Sequence, residues 1–174
     1  MAHAIMVDIE TWSTRANAAI LAIGAVKFDA DFNIQDKFYC NIDPISCRNF
    51  GLHFDPDTIE FWRKNPEAFD QTKENRISIH EAIQQFNEWV GPAKKTEVWA
   101  NGAAFDFPIL EWSFREMDIP IPWEYWGVRD ARTIFKLADL NTKTFAEREG
   151  TFHNAVDDCI TQIKMLKTVF KPEG

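Results

Sequence analysis

The chain has 174 residues, 45% of them apolar, which is enough for one domain with its own core. Its formal net charge of −8 is the wrong sign for a protein that grips nucleic acid by bulk electrostatics alone. No apolar run approaches the ~18 residues of a membrane span, so neither a transmembrane helix nor a membrane partner is expected.

Met1–Asp8 lacks a basic stretch, and Asp8 and Glu10 interrupt the apolar run, so the start does not read as a secretory signal. Cys40, Cys47 and Cys159 form no CxxC pair. A sparse, odd set of this kind points to a reducing compartment, here the cytoplasm, rather than to a disulfide framework or a zinc site. Fifteen Phe and seven Trp are many for this length, and most should lie in the core.

In chain order, Ala4–Glu10 reads as a strand, with Ile5, Val7 and Ile9 alternating with Met6, Asp8 and Glu10. Thr11–Ala19 is polar enough for a connection. Ile20–Phe28 is apolar on both faces, as a covered central strand would be. Lys37–Ile42 is a third strand, and the three form an antiparallel meander. Asp55-Pro56 is a helix start, an N-cap followed by Pro at the first helical position, and the helix runs to about Lys64. Ser78-Ile79-His80-Glu81 is a capping box that opens a helix to about Val90, which Gly91-Pro92 ends. Glu97–Asn101 is a short buried strand. Phe105–Met117 is a helix with Pro108 near its first turn. Trp126–Asp130 is a strand, Ala131–Leu140 a short helix, and Asn154–Phe170 an amphipathic helix with Val156, Ile160, Ile163, Leu166 or Lys167, and Phe170 at helical spacing. Three strands, then alternating helices and strands, then a helix, give a single α/β domain with a mixed sheet flanked by helices.

Asp8 and Glu10 stand two apart on a strand and project from one face. Two carboxylates in a buried element need a partner, and no Lys or Arg lies in that strand. A hard divalent cation, Mg²⁺ or Mn²⁺, fits oxygen ligands; a solvated sheet edge fits the spacing equally. Asp106 lies just beyond the carboxyl end of a strand, where α/β sites form, and also where a helix is capped. His153 and Asp158 flank the start of the last helix, with His153 on a preceding loop. Imidazole is the natural proton acceptor near neutral pH. With Asn154 as the cap, Asp157 falls at the third helical position and reads as structural, while Asp158 reads as the ligand. His3 and Asp8 repeat the His–Asp spacing, but at a chain end that frays.

Taken together, Val7-Asp8-Ile9-Glu10-Thr11, Asn101 through Phe105-Asp106, and His153-Asn154-Ala155-Val156-Asp157-Asp158 resemble the three motifs of the DnaQ-like, or DEDDh, 3′→5′ exonucleases. His3 fails the fuller third motif, because Ile5 rather than Ala stands two residues after it. Met6–Thr11, Asn17–Val26 and Arg129-Asp130-Ala131-Arg132-Thr133 are similar to the branch that holds RNase AS-type exoribonucleases and phage exonuclease A-like proteins. The resemblance implies an RNase H-like fold, two divalent ions (Mg²⁺ or Mn²⁺) and mononucleotide products. Asp8, Glu10, Asp106 and Asp158 would be the ligands, Asp8 the bridging one, and His153 the general base. Two such ions would bring the formal charge from −8 to −4, with the positive charge placed in the site.

Exonucleolytic action requires a free 3′ end. The resemblance implies that the backbone around Glu10-Thr11 contacts the terminal nucleotide of single-stranded DNA or RNA. Asn101 lies in the second motif. Trp12, Phe105 and Trp62 are stacking candidates, as aromatics are in single-strand binders, although Trp12 and Phe105 also suit a core. DNA is slightly favoured as substrate over RNA, whose 2′-hydroxyl would have to be sensed. A catalytically inactive end-binding module and a metal-dependent phosphatase are the readings outside exonucleases. Many relatives are dimers, and the surplus of aromatics leaves room for a homodimer interface.

Overall fold

The computed structural model describes residues 4–92, 96–148, 150 and 152–172; His3 therefore lies outside the described residues. Five strands form one sheet in the order β3-β2-β1-β4-β5: β1 Ala4–Thr11, β2 Ile20–Phe28, β3 Ile34–Asn41, β4 Glu97–Ala100 and β5 Val128–Asp130. β1, β2 and β3 pair antiparallel, as the expected meander does, while β1 with β4 and β4 with β5 run parallel. The helices are α1 Pro44–Asn49, α2 Pro56–Lys64, α3 Pro66–Gln71, α4 Ile79–Val90, α5 Ala103–Glu116, α6 Ala131–Leu137 and α7 Ala155–Phe170.

Strand alternation divides the core in two. Ile5, Val7 and Ile9 of β1 pack with Leu21 and Ile23 of β2 against α4 and α5, through Ile83, Phe86, Leu110 and Phe114. Met6 and Val26 point the other way and pack with Ala131 and Phe135 of α6 and Cys159, Ile163 and Leu166 of α7. Both faces of the sheet are thus covered, as a near-continuous apolar β2 demands. Asp8 and Glu10 share the face of Met6, the face on which α7 lies.

β4 runs parallel to β1 and ends at Ala100 opposite Val7, so the first turn of α5 rises beside the last residues of β1, where Asp106 meets the Ile9 N–H. Asp130, at the end of β5, accepts from the N–H groups of Gly102 and Ala103 at 3.0 and 2.9 Å and caps α6 through Thr133 N–H. Hydrogen bonds from Thr133, Ala103 and Gly102 outweigh the burial penalty and hold its carboxyl below the usual range. This one carboxylate ties the starts of two helices to neighbouring strand ends.

Gly24 sets how closely α7 approaches. It pairs with Asp8 in the β1–β2 register. A Cβ there would lie 2.5 Å from the Ala155 Cβ and 2.7 and 2.9 Å from backbone atoms of Ala155 and Val156. Only hydrogen at this position lets the first turn of α7 rest on the sheet beside Asp8.

Several elements differ from expectation. β3 begins at Ile34 rather than Lys37, because it is an edge strand whose first half is exposed and carries no apolar alternation. α1 and α3 have no counterpart among the expected elements; each has six residues with Pro in the first turn, too short for a helical period. α5 begins at Ala103, so Pro108 sits past its first turn. β5 is shortened by a 3-10 turn at Tyr125–Gly127, and α6 stops at Leu137. Ile160, Ile163 and Leu166 of the expected α7 stripe are buried, while Val156 is half-buried and Phe170 exposed; the buried face is wider than expected and takes in Ala155, Cys159, Gln162 and Met165. Asp158 therefore sits on the helix face that meets the sheet. All three cysteines are buried and unpaired. Among the described residues, no helix is long and apolar enough to cross a membrane.

A Gly24→Ala substitution forces α7 off the sheet. It should destabilise the fold by about 1–3 kcal/mol, as overpacking does. Urea unfolding of the variant measures the effect. An unchanged midpoint would show that α7 does not depend on this contact.

Candidate active site

The site forms where β1, α5 and α7 converge. β1 presents Asp8 and Glu10 from one face, and the first turns of α5 and α7 present Asp106 and Asp158. Carboxylate oxygens of Asp8, Glu10 and Asp158 all lie within 4.8 Å of one another. Asp106 stands beside this triplet, 4% exposed, and its Oδ1 accepts from the Ile9 N–H at 3.1 Å. The four acids expected to act together are therefore neighbours.

Burial raises every one of them, and like charge among the acids adds to it at Asp8 and Glu10. Burial, then the neighbouring Glu10, Asp106 and Asp158, push Asp8 well above the usual carboxylate range. Burial, then Asp158 and Asp106, do the same to Glu10. Burial lifts Asp106 to about 7, against the pull of backbone hydrogen bonds and Arg132. Asp158 is also raised by burial, opposed chiefly by its hydrogen bond from Arg148. A pocket of crowded oxygens with raised proton affinity is a site built for positive charge. The donor set is hard oxygen alone, which suits Mg²⁺ or Mn²⁺.

These acids line one side of an open cleft of about 730 Å³. Asn101, Phe105 and His153 also line it, with cations Arg132, Lys136, Lys143 and Arg148. A second hollow of about 360 Å³ adjoins it across Glu10, Phe105 and His153, and is bordered by Thr11, Thr14, Thr58 and Phe61.

His153 lies in the turn before α7 with φ +63°, a left-handed conformation that non-glycine residues adopt only when their surroundings hold them there. Its backbone N–H donates to the Asp158 carboxylate. Its ring stands edge-on to Phe61 and Trp62, at 5.4 and 6.2 Å between centroids. Asn154 caps α7 by accepting from the Asp157 N–H, which puts Asp157 at the third helical position as expected. The imidazole is exposed and borders both hollows, beside the acids.

The expected substrate contacts divide. Phe105 borders both hollows and is partly open. Asn101 borders the main cleft, and its carbonyl accepts from Arg132 Nη2 at 2.9 Å. The Thr11 hydroxyl is occupied, donating to the Ser13 carbonyl at 2.6 Å. Trp12 is not placed to stack a base: it is 8% exposed, wedged between Phe54 and Phe69. Trp62 is 2% exposed, and its Nε1 donates to the Thr11 carbonyl at 2.9 Å. It braces the backbone that follows Glu10 and, though it lines the second hollow, is too enclosed to stack a base.

Sequence reasoning overlooked Arg148. Its guanidinium donates to Asp158 Oδ1 at 2.6 Å and lies 3.4 Å from the centre of the Phe152 ring. The one available signal was an arginine a few residues before His153 in a chain rich in unpaired acid. Arg132 stood out only as part of a motif. Its guanidinium packs against Gly102, whose φ of +104° and missing Cβ make room for it.

The chain matches the model of the 3'-5' exoribonuclease Rv2179c-like domain over residues 3–170. It is 25% identical over 202 aligned positions to the exodeoxyribonuclease of Enterobacteria phage T4, covering 93% of this chain and 86% of that one. In structure it is similar to exonuclease I of E. coli in a zinc-bound complex with single-stranded DNA: TM-score 0.75, 14% identity, 99% of this chain and 42% of that chain. Exonuclease I from Methylocaldum szegediense gives TM-score 0.75 at 13% identity, over 99% of this chain and 41% of that chain. The chain thus spans about two fifths of the exonuclease I chains that share its fold. With the family match running almost from end to end, this chain belongs to the 3'-5' exoribonuclease Rv2179c-like family, on a fold that it shares with exonuclease I.

Proposed function

We propose that the protein is a metal-dependent 3′→5′ exonuclease that hydrolyses single-stranded nucleic acid to nucleoside 5′-monophosphates. The observation that carries this reading is the convergence of Asp8, Glu10 and Asp158 within 4.8 Å, with Asp106 beside them. Crowded carboxylates with raised proton affinity fit two divalent ions, Mg²⁺ or Mn²⁺. Bound there, such ions supply a water of lowered pKa and neutralise charge on the phosphate and the departing 3′ oxygen.

The remaining chemistry belongs to the chain. Asp8, Glu10, Asp106 and Asp158 would hold the ions. His153 accepts the proton of the attacking water; its exposed ring beside the acids suits that role, and its own N–H on Asp158 fixes the turn that carries it. The backbone around Glu10-Thr11, braced by Trp62 at the Thr11 carbonyl, would contact the terminal nucleotide. Phe105, shared by both hollows, is the stacking surface.

The phage relative's name favours DNA as the strand, and the family's description favours RNA. DNA is the first reading and RNA the second. Digestion of matched, end-labelled DNA and RNA oligonucleotides with Mg²⁺ or Mn²⁺ decides between them. Binding of either strand without product in Mn²⁺ would leave an end-binding module instead.

Asp106→Asn keeps an oxygen for the Ile9 N–H, so the fold should survive while hydrolysis is nearly abolished; full activity would remove Asp106 from the site. His153→Ala should slow turnover by about 10²- to 10⁴-fold, the usual contribution of a general base, with metal binding little changed. Unchanged turnover at saturating Mg²⁺ would reject that role.

Asp106 titrates at about 7 in the folded protein, against 3.8 as its ordinary value. Between those values the folded state holds more protons than the unfolded state, so the metal-free protein loses stability as pH rises through the window. Its melting temperature in chelator should be higher near pH ~5 than near pH ~8, and excess Mn²⁺ should raise it most at the higher pH. A metal-free melting temperature that climbs across this window would contradict the assignment.

A further inference from the structure

Arg148 is bound to one of the residues that a metal would need. Its Nη2 lies 2.6 Å from Asp158 Oδ1, in an ion pair whose side chains are only 12% and 16% exposed. The guanidinium sits 3.4 Å from the centre of the Phe152 ring. Its influence reaches Asp8 as well, whose carboxyl it pulls down. Its Nε is buried and, among the described residues, has no hydrogen-bond partner. A buried donor left unpaired is costly, and an arginine fork normally uses both edges. The side chain borders the cleft that holds the acids. It is therefore only partly satisfied where it stands, with a planar fork suited to a phosphate.

We infer that Arg148 alternates between two anions: it pairs with Asp158 while the acidic site lacks metal, and it transfers to a phosphate of the nucleic acid once metal takes Asp158. The inference rests on the metal reading given above. Charge supports the exchange. Arg148 bonds directly to Asp158, while Arg132 acts on Asp106 by its charge. Two divalent ions neutralise all four carboxylates, and Arg148 then adds a surplus positive charge facing a cleft. A phosphodiester is the anion that would meet it there. The Phe152 ring holds the guanidinium at the rim during the transfer, since a cation over a ring face needs no directional bond.

Two consequences separate this role from a scaffold that merely props up Asp158. Removing the arginine removes a competitor, so metal binds more tightly; a lost prop would make it bind more weakly. Removing it also removes a phosphate contact, so KM for the strand rises more than kcat falls.

Isothermal calorimetry of metal-free protein with Mn²⁺, and steady-state kinetics on an end-labelled single strand, test both. Arg148→Gln should bind Mn²⁺ about tenfold more tightly and show a KM about tenfold higher, in keeping with one charge-assisted bond lost on each side. Arg148→Lys keeps the charge and should return both values toward wild type. Phe152→Leu, at an exposed position, loosens the arginine without removing it and should tighten Mn²⁺ binding by about threefold. That variant decides the matter if Arg148→Gln does not fold. Mn²⁺ affinity equal to or weaker than wild type in Arg148→Gln or, failing that, in Phe152→Leu would overturn the exchange while leaving the metal reading intact. A wild-type protein that takes up no Mn²⁺ would overturn both.

Discussion

Repulsion among carboxylates is the constraint around which this fold is organised. Asp8, Glu10 and Asp158 are held within 4.8 Å of one another, and Asp106 beside them is nearly sealed from solvent. No isolated chain segment would choose that arrangement, because burying one unpaired charge is already unfavourable. The packing of the rest of the domain must hold it. The two hydrophobic layers on either face of the sheet supply that restraint, and the carboxyl ends of β1 and β4 provide the place. Such strain is common where a protein keeps a site ready for a charged visitor.

The precision of the site comes from small residues and backbone contacts more than from the acids themselves. Gly24 and Ala155 bring α7 against β2, and this sets where Asp158 stands. Asp130 anchors the start of α5 to β5, and this sets where Asp106 stands. Trp62 holds the carbonyl of Thr11. None of these residues supplies a carboxylate to the cluster, yet each fixes the position of one or of its neighbour. The arrangement resembles the outer shell that orients ligands in metal proteins generally.

Legibility in the sequence followed the strength of the local signal. β2 was readable residue by residue, because nine consecutive positions are almost all apolar and buried. The starts of α2, α4 and α7 were readable because Asp55, Ser78 and Asn154 each cap a helix with the side chain. The start of β3 was not, since an exposed edge strand has no inner face to impose alternation. The acids were legible as a motif set, and the structure sets Asp8, Glu10 and Asp158 within 4.8 Å of one another with Asp106 alongside. Their aromatic neighbours were not: a Trp that supports a site and a Trp that stacks a base have the same letters around them. Trp12 and Trp62 suit stacking by their place in the sequence and lie in the core. Arg148 escaped notice for a related reason. Its partner Asp158 is ten positions away across a turn, and neither strand nor helix periodicity links the two.

The buried cysteines carry a practical consequence. Burial pushes the Cys40 and Cys47 thiols up to about 12 and Cys159 well above its ordinary range, so none offers an appreciable fraction of the reactive thiolate at neutral pH. Cys159 also lies beneath the sheet-facing side of α7, its sulfur directed at the carbonyls of Met6 and Gly24 rather than into the cleft. Oxidants and alkylating reagents reach these sulfurs only when the domain opens. The same enclosure keeps soft ligands out of the cleft wall, so thiophilic ions find no sulfur there to hold them in place of a hard one.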